Sequence, residues 1–252
     1  IYDLKKAIEL DTTNASYFHQ LSDAYMDNLQ SKEALMIMEG TVVRFPDRIP
    51  SMLKLSETQL ILKQYESSML NATKVLSLNP QEPEGYFMMG MNFRSTGDTV
   101  KAINSFQTAI ELNPELIDAW LIIANLYEAQ KNPLAKDYYE GAVMADANNI
   151  SALHSKAYYL QNHNAIDEAL AIYDEIIVKD KFYPDAYLNS GVLYLEQDSI
   201  SKAHEKFYLM TKIAPQNYRA HFYLGMANEL MGNFDEAREN FRSAKNLNSD
   251  DK

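Results

Sequence analysis

The sequence predicts an all-α chain, a solenoid of helix–turn–helix repeats, and three observations carry that reading. A small residue recurs at Ala34, Ser68, Ala102, Ala135, Ala169, Ala203 and Ala237, at intervals of 34, 34, 33, 34, 34 and 34. Pro46, Pro80 and Pro114 are also 34 apart, each closing a helix that proline cannot continue. Five of the eight glycines fall on two rungs of the same period: Gly90, Gly191 and Gly225 on one, Gly97 and Gly232 on the other. A fixed period of this length marks an array in which each unit buries its apolar face against its neighbours.

The clearest unit is 83–116. Its first helix carries Tyr86, Met89, Gly90 and Phe93 at helical spacing, Gly97-Asp98 breaks the pattern, and Ala102, Phe106 and Ala109 mark one face of a second helix. Asn113-Pro114 ends it. Residues 1–14 read as the second helix of a preceding, truncated unit, because Leu4 and Ala7 lie one period before Met38 and Thr41. A chain that opens inside a helix without Met reads as a piece of something longer. Seven full units are expected at 15–48, 49–82, 83–116, 117–149, 150–183, 184–217 and 218–251. The fourth lacks one residue in its turn, where Asn132-Pro133 supplies a cap and a proline at the first helical place, and a small change in helix-pair angle is expected there. The last helix is polar outside Phe234, Ala237, Phe241, Ala244 and Leu247, as expected of a capping helix with no neighbour on one face.

Composition removes several functions. A net charge of −12 argues against nucleic acid, which needs basic surface to displace counterions, and against a polybasic lipid-binding face. The absence of cysteine excludes disulfides, thiolate chemistry and cysteine-based zinc sites, and suits a reducing or an oxidising compartment equally. No apolar run approaches the roughly 20 residues needed to span a bilayer. No phosphate-binding loop, dinucleotide fingerprint or nucleophile elbow is present. His204-Glu205 opens like a zinc-protease motif but lacks the second histidine, and His19, His154, His163 and His221 form no helical metal pair. No catalytic residue, cofactor or metal is expected. Three glycosylation-like triplets begin at Asn14, Asn71 and Asn149, and Asn14 and Asn149 sit where a helix N-cap is needed.

The ladder of residues resembles the tetratricopeptide repeat family over nearly the whole chain. The aromatic place early in the first helix is taken by Phe18, Tyr86, Trp120, Tyr187 and His221, which makes Trp120 a core rung rather than a ligand platform. The Leu-Gly-x-x-Tyr step appears as Leu21-Ser22…Tyr25, Met89-Gly90…Phe93, Ile123-Ala124…Tyr127, Ser190-Gly191…Tyr194 and Leu224-Gly225…Asn228. The second-helix aromatic is Phe106, Tyr139, Tyr173, Phe207 and Phe241. The unit at 49–82 departs most, with Ser56, Gln59 and Ala72 on ladder places.

The resemblance implies a right-handed α-solenoid superhelix of tetratricopeptide-type repeats whose first helices line a concave groove. The groove candidates are Leu53, Glu57, Leu60, Phe87, Met88, Met91, Arg94, Leu121, Ile122, Asn125, Glu128, Tyr158, Leu188, Asn189, Val192, Arg219, Phe222 and Met226, with His19, Pro50, Lys54, Ile61 and Glu84 on the same helix faces. Leu53, Leu60, Phe87, Met88, Met91, Leu121 and Ile122 form an apolar tract. It reads either as an interaction surface or as side chains buried between neighbouring first helices. The groove set is mildly acidic. Members that clamp a C-terminal carboxylate use Lys and Asn at places where Asn189 matches, Arg219 replaces a lysine, and His154, Tyr158 and Tyr223 do not match, so that activity is disfavoured.

The expected function is a non-catalytic protein–protein interaction scaffold holding a basic or amphipathic peptide segment or partner helix in its groove. Two alternatives remain: the recognition arm of a larger enzyme or envelope assembly, and a glycan or small-molecule binder using His154, Tyr158 and Tyr223. A second copy docking on the N-terminal end is a further partner that the sequence allows.

Overall fold

The computed structural model describes residues 1–249, so positions 250 and 251 of the expected seventh unit lie outside the described residues. The described residues form fifteen α-helices and no strand. They fall into two compact units that divide after residue 135, inside the ninth helix and just beyond the shortened turn.

The first unit holds α1 (Tyr2–Leu10), α2 (Ala15–Asp27), α3 (Ser31–Arg44), α4 (Ile49–Ile61), α5 (Tyr65–Leu78), α6 (Pro83–Ser95), α7 (Thr99–Leu112) and α8 (Ile117–Ala129). α9 (Leu134–Ala145) begins there. The second unit continues with α10 (Ile150–Asn162), α11 (Ile166–Lys179), α12 (Pro184–Glu196), α13 (Ile200–Ile213), α14 (Tyr218–Leu230) and α15 (Phe234–Ser249). In the first unit α1 to α8 each pack against the next, in the second α10 to α15 do the same, and α4 also lies against α2 and α6.

Small residues set the distance within each hairpin. Ser22, Ser56, Ala124 and Ala157 are fully buried on first helices, as are Ala34, Ser68, Ala102, Ala169 and Ala203 on second helices. Where the first helix carries glycine, the partner's aromatic ring occupies the space of a side chain. A Cβ on Gly90 would sit 2.7 Å from Phe106, on Gly191 2.4 Å from Phe207, and on Gly225 2.8 Å from Phe241. Those distances are inside van der Waals contact, so the rings can pack only because the glycines are there.

Every hairpin turn has the same backbone. Leu29, Lys63, Gly97, Lys131, Asn164, Asp198 and Gly232 all have positive φ, between 54° and 86°. In each turn the following N–H reaches back to the first helix, as Asp98 to the Phe93 carbonyl at 2.9 Å and Ser199 to the Tyr194 carbonyl at 2.8 Å. That closure satisfies carbonyls the helix end would otherwise leave unpaired. Only two of the seven turns place glycine in this left-handed conformation, which explains why the glycine rung in the sequence is incomplete.

A second recurrent contact ties each first helix to the loop before it. The polar tip of the early aromatic residue donates to a carbonyl six residues back in the connecting loop: Tyr86 to Pro80 at 3.1 Å, Trp120 to Pro114 at 2.9 Å and Tyr187 to Lys181 at 3.1 Å. His221 makes the same contact through Nε2 to Pro215 at 2.9 Å. Trp120 is therefore half-buried and pins a loop with its indole N–H, rather than filling the interior of the ladder. Its removal costs the loop contact as well as packing. The Asn14 and Asn149 side chains accept from the backbone N–H of Ser16 and Ala152, each at 3.0 Å, so both serve as N-caps.

Gly191→Ala is expected to lower stability by about 1–3 kcal/mol, since the new methyl must displace the Phe207 ring. Gly40→Ala, on an open face of α3 with nothing within 4 Å, is expected to raise it by about 0.5–1 kcal/mol. Urea denaturation of the two variants beside the parent chain checks both signs.

Candidate functional site

The first helices of the first unit enclose a cleft of about 740 Å³. α2 contributes His19; α4 contributes Ile49, Pro50, Leu53, Lys54, Glu57, Leu60 and Ile61; the α6 side contributes Glu82, Glu84, Phe87, Met88 and Met91. The spacing of α4 dictates its share, because Pro50, Leu53, Glu57, Leu60 and Ile61 recur every three to four residues and so lie on one face. Leu53, Leu60, Phe87 and Met91 are half-buried, and Met88, only 7% exposed, forms part of the floor. The Phe87 ring is anchored edge-on against Phe106 at 5.4 Å.

The rim is polar and mainly acidic. Three carboxylates, Glu57, Glu82 and Glu84, face a single ammonium, Lys54. That ammonium is already engaged, 2.7 Å from Asp23 and 2.8 Å from Glu57. Burial alone would push the Lys54 pKa down, but the hydrogen bonds it donates to those two carboxylates hold it above the ordinary lysine value. Glu84 titrates above the usual carboxylate range, first because it is partly desolvated and then because it shares a hydrogen bond with Glu82. Glu82 is in turn held by the Asn79 amide at 2.9 Å. His19 lies within 2.9 Å of the Ser51 hydroxyl, and burial, followed by Arg48 and Lys54, lowers its pKa. The cleft thus has a greasy floor and a negative edge.

The expected groove residues divide accordingly. Leu53, Glu57, Leu60, Phe87, Met88 and Met91 come together in the cleft. Arg94 is exposed on the last turn of α6, and Leu121, Ile122, Asn125 and Glu128 on α8 do not line it. Asn125 donates to the Leu121 carbonyl at 2.8 Å. Ile49 and Glu82 line the cleft although their sequence positions did not single them out; Glu82 stands at the N-cap position just before α6, outside the helical period.

In the second unit, Leu188 is 7% exposed and belongs to the core, with Val192 packed against it. Arg219 and Phe222 are exposed, and Met226 is half-buried. Tyr158, 50% exposed, stacks on His154 with centroids 6.4 Å apart. Asn189 donates to His154 Nε2 and to the Tyr173 hydroxyl, both at 3.2 Å, and Tyr173 donates to Gln161 at 3.0 Å. Burial pushes the His154 pKa down and the Tyr173 pKa up.

Among the described residues, no group of three His, Asp or Glu side chains is placed to hold a metal ion, and no helix is long and apolar enough to cross a membrane. Hairpins joined at a 34-residue period, with an open cleft on first helices, define a helical-repeat binding scaffold. The tetratricopeptide repeat family models match residues 83–116 and 218–251, so the chain carries tetratricopeptide repeats at these two places. It is 27% identical over 151 residues to human tetratricopeptide repeat protein 6, covering 57% of this chain and 28% of that one. It is 25% identical over 130 residues to the type IV pilus assembly protein PilF of Pseudomonas aeruginosa, covering 49% of this chain and 50% of that one. It therefore spans half or less of the length of these relatives. The C-terminal part of a repeat protein from Cytophaga hutchinsonii superimposes with a TM-score of 0.69 at 15% identity, covering 91% of this chain and 95% of that one. Proteins of this family are generally non-catalytic scaffolds that bind protein or peptide partners.

Because the raised Glu84 pKa reflects a carboxylate disfavoured by folding, its cost is absent at pH values below the ordinary carboxylate range. The cost appears as pH rises from that range to the folded-state value, and is complete above it. Glu84→Gln is expected to stabilise the chain at neutral pH, with the gain vanishing on acidification through that window. Thermal melts of both proteins from pH 3 to 8 check it.

Proposed function

We propose that the cleft of α2, α4 and α6 holds a basic amphipathic segment of a partner protein. The observation that carries the reading is the pairing of an apolar floor with an acidic rim whose one ammonium is already neutralised. Met88 and Met91 give the floor an adaptable surface, and an apolar side chain seated there would remove it from water. Lys or Arg side chains flanking that anchor would meet Glu57, Glu82 and Glu84, in a partly desolvated setting where opposite charges attract more strongly than in bulk water. An acidic segment would meet the same carboxylates and be rejected. No catalytic step is assigned to the cleft.

Fluorescence anisotropy with a labelled Leu/Lys amphipathic peptide tests this. The parent chain is expected to bind it with an affinity that falls as salt rises, and to leave a Leu/Glu peptide of the same pattern unbound. Phe87→Glu with Met91→Glu is expected to weaken binding at least roughly tenfold, about 1.4 kcal/mol, with helicity retained. Should that pair disturb packing, the exposed Glu57→Lys is expected to weaken binding on its own. Affinity unchanged by both variants would place the site elsewhere.

A further inference from the structure

The serine contact between α4 and α5 runs on into α6 and ends there on an atom with no partner. The Ser68 hydroxyl donates its proton to the Ser56 carbonyl at 2.7 Å. It can then only accept, and it accepts an Asn92 amide hydrogen at 2.9 Å. The second amide hydrogen goes to the Met88 carbonyl at 2.8 Å. These two acceptors fix which end of the Asn92 amide is nitrogen. Oδ1 is left over, the one buried side-chain polar atom without a hydrogen bond among the described residues. Asn92 is 1% exposed, so bulk water does not solvate that oxygen. The corresponding place on the other first helices holds Ala24, Leu126, Tyr159, Leu193 and Ala227, and Thr58, whose hydroxyl is spent on the Lys54 carbonyl at 2.8 Å. An amide at this place occurs on α6 alone.

Asn92 is on the wall of a cavity of about 440 Å³ formed by α5 and α6, which shares no residue with the cleft. The rest of the wall is mainly apolar: Tyr65, Met69 and Leu70 lie on one face of α5, and Phe93 follows Asn92 on α6. Thr73 and Thr96 also line it, and their hydroxyls donate to the Met69 and Asn92 carbonyls at 2.8 and 3.0 Å. Each therefore has only lone pairs to offer. Glu66 adds an exposed carboxylate. Apart from the Tyr65 hydroxyl, the polar side chains of the wall thus present acceptors. Two rings and a thioether beside a buried acceptor suit a flat apolar body with a donor at its inner end.

We propose that this cavity is a second binding site, for an aromatic ring that carries one N–H donor: an indole-type group. The ring displaces water from Tyr65, Met69, Leu70 and Phe93, and its N–H donates to Asn92 Oδ1. Occupancy thereby completes the hydrogen bonding of the one orphaned atom. A ring of the same shape without the N–H fills the space but leaves that oxygen unpaired, and is discriminated against on that account.

The test is a titration of the 252-residue chain, labelled at its methionine methyl groups, with indole and with indene, a ring of the same shape that lacks the N–H. The Met69 signal is expected to shift and saturate with indole, at an affinity at least roughly tenfold above that for indene. Asn92→Leu, the residue that Leu126 and Leu193 place there, is expected to bring indole down to the level of indene and leave indene unchanged. Leu70→Glu, at a position 71% exposed, is expected to weaken both rings alike. A capped Gly-Trp-Gly peptide assigns the source: tighter binding than indole points to a partner's side chain, equal or weaker binding to a free small molecule. No saturable Met69 shift, equal affinities for the two rings, or an advantage of indole that survives Asn92→Leu would overturn the proposal and leave Oδ1 to water. If Asn92→Leu fails to fold, the ratio of the two affinities in the parent chain decides.

Discussion

The structure depends on how closely the two helices of each hairpin approach. Where Gly90, Gly191 and Gly225 face an aromatic ring, the distances leave no room for a methyl group. Elsewhere serine and alanine meet across the same contact, as when the Ser22 hydroxyl donates to the Ala34 carbonyl at 3.3 Å. Packing at this density responds to single methylenes. Because the small-residue seam and its flanking aromatics use one face of each first helix, the opposite face is left over. On α4 and α6 that leftover face becomes the cleft.

The seam tolerates polar groups when they pair. In the second hairpin, Ser56 and Ser68 each donate to the other's carbonyl, at 2.9 and 2.7 Å, and Asn71 donates to Gln59 at 2.8 Å. The Asn92 amide reaches from α6 to Ser68 and to the Met88 carbonyl, at 2.9 and 2.8 Å. Its oxygen is buried without a partner among the described residues. A hydrogen-bonded polar seam binds two helices about as well as an apolar one, and costs stability mainly where a group is orphaned. The most divergent unit of the sequence therefore keeps the fold by exchanging contact type.

Much of this was legible in the residues. The period gave the helix pairs because proline, glycine and alanine are where backbone and packing demand them. Helical spacing alone brought Leu53, Leu60, Phe87, Met88 and Met91 onto one surface, since it fixes which side chains share a face. The extension of that tract to Leu121 and Ile122 did not follow, because spacing within α8 carries no information on how far a neighbouring helix face continues a cleft. Glu82 was invisible for a related reason: it sits outside the helix whose period was being read. The turns hid their rule, since Leu29, Lys63 and Lys131 adopt a left-handed backbone that their side chains do not announce. Trp120 looked like a core residue because its ladder place is shared with Tyr86 and Tyr187, and only the geometry shows that these tips reach a loop carbonyl.

The central claim is that an acidic-rimmed apolar cleft on α4 and α6 receives a basic amphipathic segment. Methyl-labelled methionine spectra report on it directly, since the chain's 12 methionines are spread through both units. On addition of an unlabelled Leu/Lys peptide, the Met88 and Met91 methyl signals should shift together and saturate, while Met210 and Met226 in the second unit stay in place. Shifts centred on Met226, or a bound peptide that leaves Met88 and Met91 unmoved, would contradict the account.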